Sequence, residues 1–103
     1  MEDLIKALQI FLPYYIGGEY PTFCDHDVMY VCGIDTAKMK ASTVSELYKL
    51  GFLPGSSEDH EVKKNILGED FFDWDYENIT DEQWDKIKNK ISDSFHSYRF
   101  GSC

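Results

Sequence analysis

Apolar residues recur at helical spacing from the start of the chain. Leu4, Leu8, Phe11 and Tyr15 fall at i, i+4, i+7 and i+11, and Ile5 and Leu12 widen the stripe. This pattern predicts an amphipathic helix capped by Asp3, disturbed in its last turn by Pro13 and ended by Gly17-Gly18. The period then changes. Val28 to Cys32 is a short apolar, β-branched run closed by Gly33, which reads as a buried strand. Residues 35–41 read as a turn with room for a single helical turn. Thr43 and Glu46 have the spacing of a capping box, predicting a short helix from Val44 to Leu50 with Gly51 as its stop. Polar, turn-forming residues fill 53–60, and 61–67 carries a weaker helical pattern.

In the second half, Phe72, Trp74 and Tyr76 alternate with Asp73, Asp75 and Glu77. Period-two patterning with one aromatic and one acidic face predicts a half-buried strand or an extended arm. Thr80 and Gln83 form a second capping box, with Asp81 and Glu82 in the first turn and Trp84, Ile87 and Ile91 on the inner face. Residues 94–100 alternate again and predict a closing strand that pairs with Val28–Cys32. These elements add up to an α+β fold: one compact domain over 1–103, with a small antiparallel sheet covered by about three helices.

Composition narrows the class of protein. A chain of 103 residues that is 43% hydrophobic can bury one core but not two. The longest apolar run is well short of the roughly 18 residues of a membrane span, and the opening residues lack the basic leader of a signal peptide, so a soluble, intracellular chain is expected. Three cysteines, at 24, 32 and 103, do not make a disulfide framework, and in a reducing compartment they are expected as core thiols or metal ligands. Net charge is −9 and unevenly spread: residues 58–85 carry eleven acids and two bases, which alone equals the whole excess. Such a chain lacks the Lys and Arg footprint of nonspecific nucleic-acid binding.

Cys24 and His26 offer a thiolate and an imidazole on one face of an extended segment, a candidate structural zinc site. Cys32 lies about 20 Å further along a strand, too far to join them. His96 and Cys103 from the closing strand are the expected partners, with His60 or Asp27 behind them. Other chemistries fit less well. Asp73, Asp75 and Glu77 begin like a calcium loop, but Asn78 stands where its Gly belongs and Trp84 where its bidentate Glu belongs. No local signature marks a cysteine hydrolase, and no phosphate-binding Gly loop is present, so no enzymatic activity is expected. The acidic segment instead predicts a protein-binding face that carries Glu69, Asp70, Asp73, Asp75, Glu77, Asp81 and Glu82 on one outer wall, with Trp74 as anchor.

Residues 19–34, 46–52 and 94–103, after the opening Leu4 to Phe11, resemble a family of small proteins common in phage and prophage genomes. The matching positions are Cys24, His26, Asp27, Gly51, Phe52, Tyr98, Gly101 and Ser102; the acidic segment 59–92 is longer here than in that pattern. Small acidic phage proteins often block host defence, anti-CRISPR proteins among them. The resemblance therefore implies an inhibitor in the bacterial cytoplasm, monomeric or weakly dimeric. Its partner would be a basic, nucleic-acid-binding surface such as that of a CRISPR effector nuclease. The alternative is a zinc-stabilised interaction domain of unrelated function.

Overall fold

The computed structural model describes residues 2–17, 22–25, 28–56 and 59–99. In chain order these form helix α1 (Glu2–Phe11), strands β1 (Thr22–Asp25) and β2 (Val28–Cys32), helix α2 (Ala41–Lys49), a two-residue strand β3 (Leu53–Pro54), helices α3 (His60–Leu67) and α4 (Asp81–Ile87), and strand β4 (Ser94–Ser97). Tight 3-10 turns occupy Leu12–Tyr14, Thr36–Lys38 and Asp73–Asn78. The sheet is antiparallel in the order β1-β2-β4-β3, and the predicted pairing of the closing strand with Val28–Cys32 is present, Val31 opposite Phe95 and Tyr30 opposite His96. The α+β class is thus as expected, with four α-helices among the described residues where about three were expected. No helix among the described residues is long and apolar enough to cross a membrane.

The first helix is turned from its predicted phase. Ala7 and Phe11 are buried and Leu4, Ile10 and Tyr14 pack beside them, whereas Ile5, Leu8, Leu12 and Tyr15 stay at the surface. The helix ends at Phe11, and the 3-10 turn around Pro13 advances only three residues per turn, which brings Tyr14 rather than Tyr15 under Phe11. Phe11 then meets Phe52 edge-on at 5.3 Å and Phe95 at 5.0 Å, which ties α1 to the sheet face that carries Met29 and Val31.

Helix α2 begins three residues before the predicted start. Its N-cap is Lys40, with no side-chain cap, so Thr43 lies inside the helix and its capping box with Glu46 does not form. Its C-terminus does follow the sequence signal. Gly51 has φ 100°, and the Phe52 N–H donates to the Leu47 carbonyl, the six-to-one bond of a Schellman end. Gly33 is equally constrained: at φ 71°, a β-carbon there would lie 2.5 Å from the Gly17 carbonyl oxygen. Helix α4 is capped as predicted, with Thr80 Oγ1 accepting the Gln83 N–H and Gln83 Oε1 accepting the Thr80 N–H.

Asp59 fastens the β3–α3 connection to the segment before β4. Its carboxylate accepts the Ser56 N–H at 2.8 Å, the Ser56 hydroxyl at 3.3 Å and the Ser92 N–H at 3.1 Å. Burial alone would raise its pKa, but the bonds from Ser56 and Ser92 outweigh burial and hold it below the ordinary carboxylate value. The stabilisation from this group is therefore complete above the unfolded pKa of about 3.9 and is lost as pH falls through the lower folded value. Asp59→Ala should cost about 1–3 kcal/mol at neutral pH and should flatten the acid limb of the stability profile below about pH 4. Urea titrations across that range measure both effects, and an unchanged acid limb would contradict the assignment.

Candidate partner-binding surface and a polar pocket

The aromatic–acidic alternation at 72–77 is not a strand. Asp73–Asn78 winds as a 3-10 turn, and the Asp75 carboxylate accepts the Phe72 N–H at 2.7 Å while the Asp75 N–H donates to the Phe72 carbonyl at 2.9 Å. A short acidic side chain that bonds to nearby backbone offers the chain a local alternative to a sheet ladder. The residues drawn inward are consequently Phe71, Tyr76 and Ile79. Tyr76 is only 1% exposed, packed edge-on against Phe71 at 5.0 Å.

Phe72 and Trp74 go the other way. They are 43% and 62% exposed and stack on each other with ring centroids 4.7 Å apart and planes 15° from parallel. Lys64 Nζ lies 5.4 Å from the Phe72 ring, a cation–π contact that steadies one side of the pair. The predicted anchor Trp74 is thus on the outside with Phe72, and the third ring of the expected aromatic face, Tyr76, is buried instead.

Glu69, Asp70, Asp73, Glu77, Asp81 and Glu82 are exposed and Asp75 is half-buried, and four of the seven border hollows in the surface. Asp70 and Asp75 border one with Leu67, Phe71, Asn78 and Gln83; Asp73 borders a second; Glu77 borders a third with Tyr48, Lys49 and Arg99. Glu82 is paired with Lys86 at 3.6 Å across one helical turn, a solvent-exposed contact of small energetic weight. Six of the seven acids expected on the docking face are thus exposed, and the hollows bordered by Asp73 and Glu77 meet at Tyr98.

Of the expected metal ligands, His26 and Cys103 lie outside the described residues, as does Asp27. Cys24 is exposed and disulfide-bonded, which corrects its expected state as a thiol or thiolate ligand, and Cys32 is a free thiol whose pKa burial pushes up. The register also separates Cys24 from His96. Cys24 stands in the cross-strand row with Met29 and Ser97, and His96 in the next row with Tyr30, so the two project from opposite faces of the sheet. Among the described residues no three His, Cys, Asp or Glu side chains are grouped to hold a metal ion.

His96 instead joins residues that no sequence motif connected. A pocket of about 430 Å3 is lined by Ser56, His60, Lys63, Asp73, His96 and Tyr98. Lys63 is 5% exposed; its Nζ donates to the Pro54 carbonyl at 2.9 Å and sits 5.4 Å from the Tyr76 ring. Burial lowers the Lys63 pKa, against the pull of Asp73 and Asp59. His96 is 3% exposed, and its Nδ1 lies 2.7 Å from the Gly55 carbonyl, which can only accept, so Nδ1 carries the proton and Nε2 the lone pair. Burial lowers its pKa too, with the nearby Lys63 charge adding to the effect, so His96 is neutral at pH 7.

No family model, curated protein or solved structure matches the chain. The resemblance to phage proteins drawn from residues 19–34, 46–52 and 94–103 gains no support from relatives, and what the surface can do follows from its own geometry.

Proposed function

We propose that the chain is a non-enzymatic inhibitor that docks on a basic protein surface through residues 69–82, and that this partner surface is the nucleic-acid-binding site of a bacterial defence nuclease such as a CRISPR effector. The observation that carries it is the stacked Phe72–Trp74 pair, held outside the core and interleaved with exposed acids. A large aromatic side chain left on the surface is the residue type that dominates interface energetics, and surrounding carboxylates select a positively lined partner and speed its encounter. Occupying that surface displaces nucleic acid without chemistry.

The test is competition. The chain is used to capture its partner from a bacterial lysate at low salt, and the captured protein is then assayed for nucleic-acid binding by gel shift. Release of the nucleic acid as the chain is titrated in supports occlusion; a ternary complex that keeps the nucleic acid bound rules it out. Capture should also weaken as salt rises, because exposed charges are screened within about 8–10 Å at physiological ionic strength.

The proposed setting is the bacterial cytoplasm, where the Cys24 disulfide is exposed to reductant. Cys24 is on β1, away from the 69–82 segment in sequence and element. Capture of the partner should accordingly be unchanged within about twofold when dithiothreitol is present, since no new charge or contact at the docking residues is involved. Loss of capture on reduction would move the binding site towards β1.

A further inference from the structure

The polar pocket holds a buried lysine that Asp73 and Asp59 act on only at a distance and that the Tyr76 ring faces at 5.4 Å. The Lys63 head group has three N–H donors when protonated, yet among the described residues the Pro54 carbonyl is its one hydrogen-bond acceptor and no carboxylate lies within 4.0 Å of it. A buried cation left in this state is costly unless something else supplies an anion. In the same pocket, the exposed Asp73 carboxylate is close enough to influence Lys63, His96 and Tyr98 electrostatically but forms no ion pair among the described residues. The buried Lys63 thus lacks an anion in contact, and Asp73 offers a carboxylate to a ligand cation. A simple anion is opposed by Asp73 and by the overall charge of −9, and a simple cation is opposed by Lys63. A small molecule bearing both charges satisfies both groups.

We propose that the pocket bounded by Ser56, α3, the 73–78 turn and β4 binds a free α-amino acid, with the ligand carboxylate on Lys63 and its ammonium on Asp73. His96 Nε2 contributes an acceptor for a ligand N–H, Ser56 and Tyr98 contribute hydroxyls, and His60 stands beside the ligand side chain. The volume is within the range of small-molecule sites. The site shares Asp73 with the docking segment, but the docking proposal is carried by the Phe72–Trp74 pair and stands if the pocket binds nothing.

The experiment is amide NMR of the full chain titrated separately with each of the twenty standard amino acids, with acetate as a carboxylate-only probe and methylamine as an amine-only probe. At least one amino acid should shift Gly55, Ser56, Lys63, Asp73 and His96 saturably, with acetate and methylamine at least tenfold weaker. Asp73→Asn, at an exposed position that leaves the fold intact, should weaken the amino acid at least tenfold and leave acetate unchanged or tighter. Lys63→Met should abolish both. No saturable shift with any of the twenty, acetate binding as well as the best amino acid, or an Asp73→Asn variant that binds it like the wild type would each overturn the proposal. If Lys63→Met fails to fold, the Asp73→Asn and single-charge probe results decide alone.

Discussion

Trp84→Ala should destabilise the domain by about 3–5 kcal/mol, the largest loss expected from any single truncation here. Trp84 is 1% exposed, and its indole N–H donates at 3.0 Å to the Met39 carbonyl, 45 residues away. Removing it opens a cavity in the cluster that includes Ile87, Val44 and Leu47, and leaves the Met39 carbonyl buried without its donor. For a domain of this size, with total stability of about 5–15 kcal/mol, such a loss leaves a substantial unfolded fraction at growth temperature. Trp84→Phe keeps most of the ring and loses the hydrogen bond, so about 1–3 kcal/mol is expected. Denaturant midpoints at constant slope measure both, and an Ala variant within about 1 kcal/mol of wild type would mean the α2–α4 interface is not the centre of the core.

Trp74→Ala should do the reverse, leaving stability within about 0.5 kcal/mol and weakening partner binding about 30-fold or more, corresponding to about 2 kcal/mol at an interface anchor. The same residue type gives opposite results because one ring is packed in the core and the other is stacked only on Phe72, outside it. Phe72→Ala should lose less, since its ring is partly occupied by Lys64. A Trp74→Ala variant that destabilised the fold by several kcal/mol would show the pair to be structural. One that bound as well as wild type would remove the anchor from the account.

Charge variants need care in choosing positions. Asp75 accepts the Phe72 N–H, so reversing it unwinds the turn that presents the rings. Asp73 borders the Lys63 pocket, so reversing it sets two like charges face to face. Glu69, Asp70 and Glu77 are exposed, make no contact of that kind, and can be changed to Lys without disturbing a hydrogen bond that organises the turn.

Much of the fold could be read from local chemistry. The Val28–Cys32 strand, the Thr80–Gln83 cap and the Gly51 stop each depend on residues close in sequence, and all are present; the pairing of that strand with 94–97 is long-range and followed from two segments that each read as a strand. Failures occurred where a local pattern had a competitor. Six alternating residues at 72–77 fit a strand as well as a turn until the Asp75 cap is known, and the α1 stripe could not show that the turn at Pro13 would bring Tyr14 rather than Tyr15 inward. Strands β1 and β3 are too short to give a periodic signal. The polar pocket was not legible at all. It draws on residues from 56 to 98, and Lys63 sits on α3 between Val62 and Lys64 with no mark of its burial, because only the tertiary packing of β3 and Tyr76 encloses it. The acidic segment was visible as composition, but which of its acids border hollows was not, since composition carries no direction.

The measurement that bears most directly on the docking surface is quantitative capture by the Glu69→Lys/Asp70→Lys/Glu77→Lys variant, compared with wild type at two salt concentrations and with folding checked by near-UV circular dichroism. A variant that is folded, binds at least tenfold more weakly at low salt and differs less from wild type at high salt is what an electrostatic interface at 69–82 requires. A folded variant that captures the same partner with wild-type affinity at both salt concentrations would contradict it.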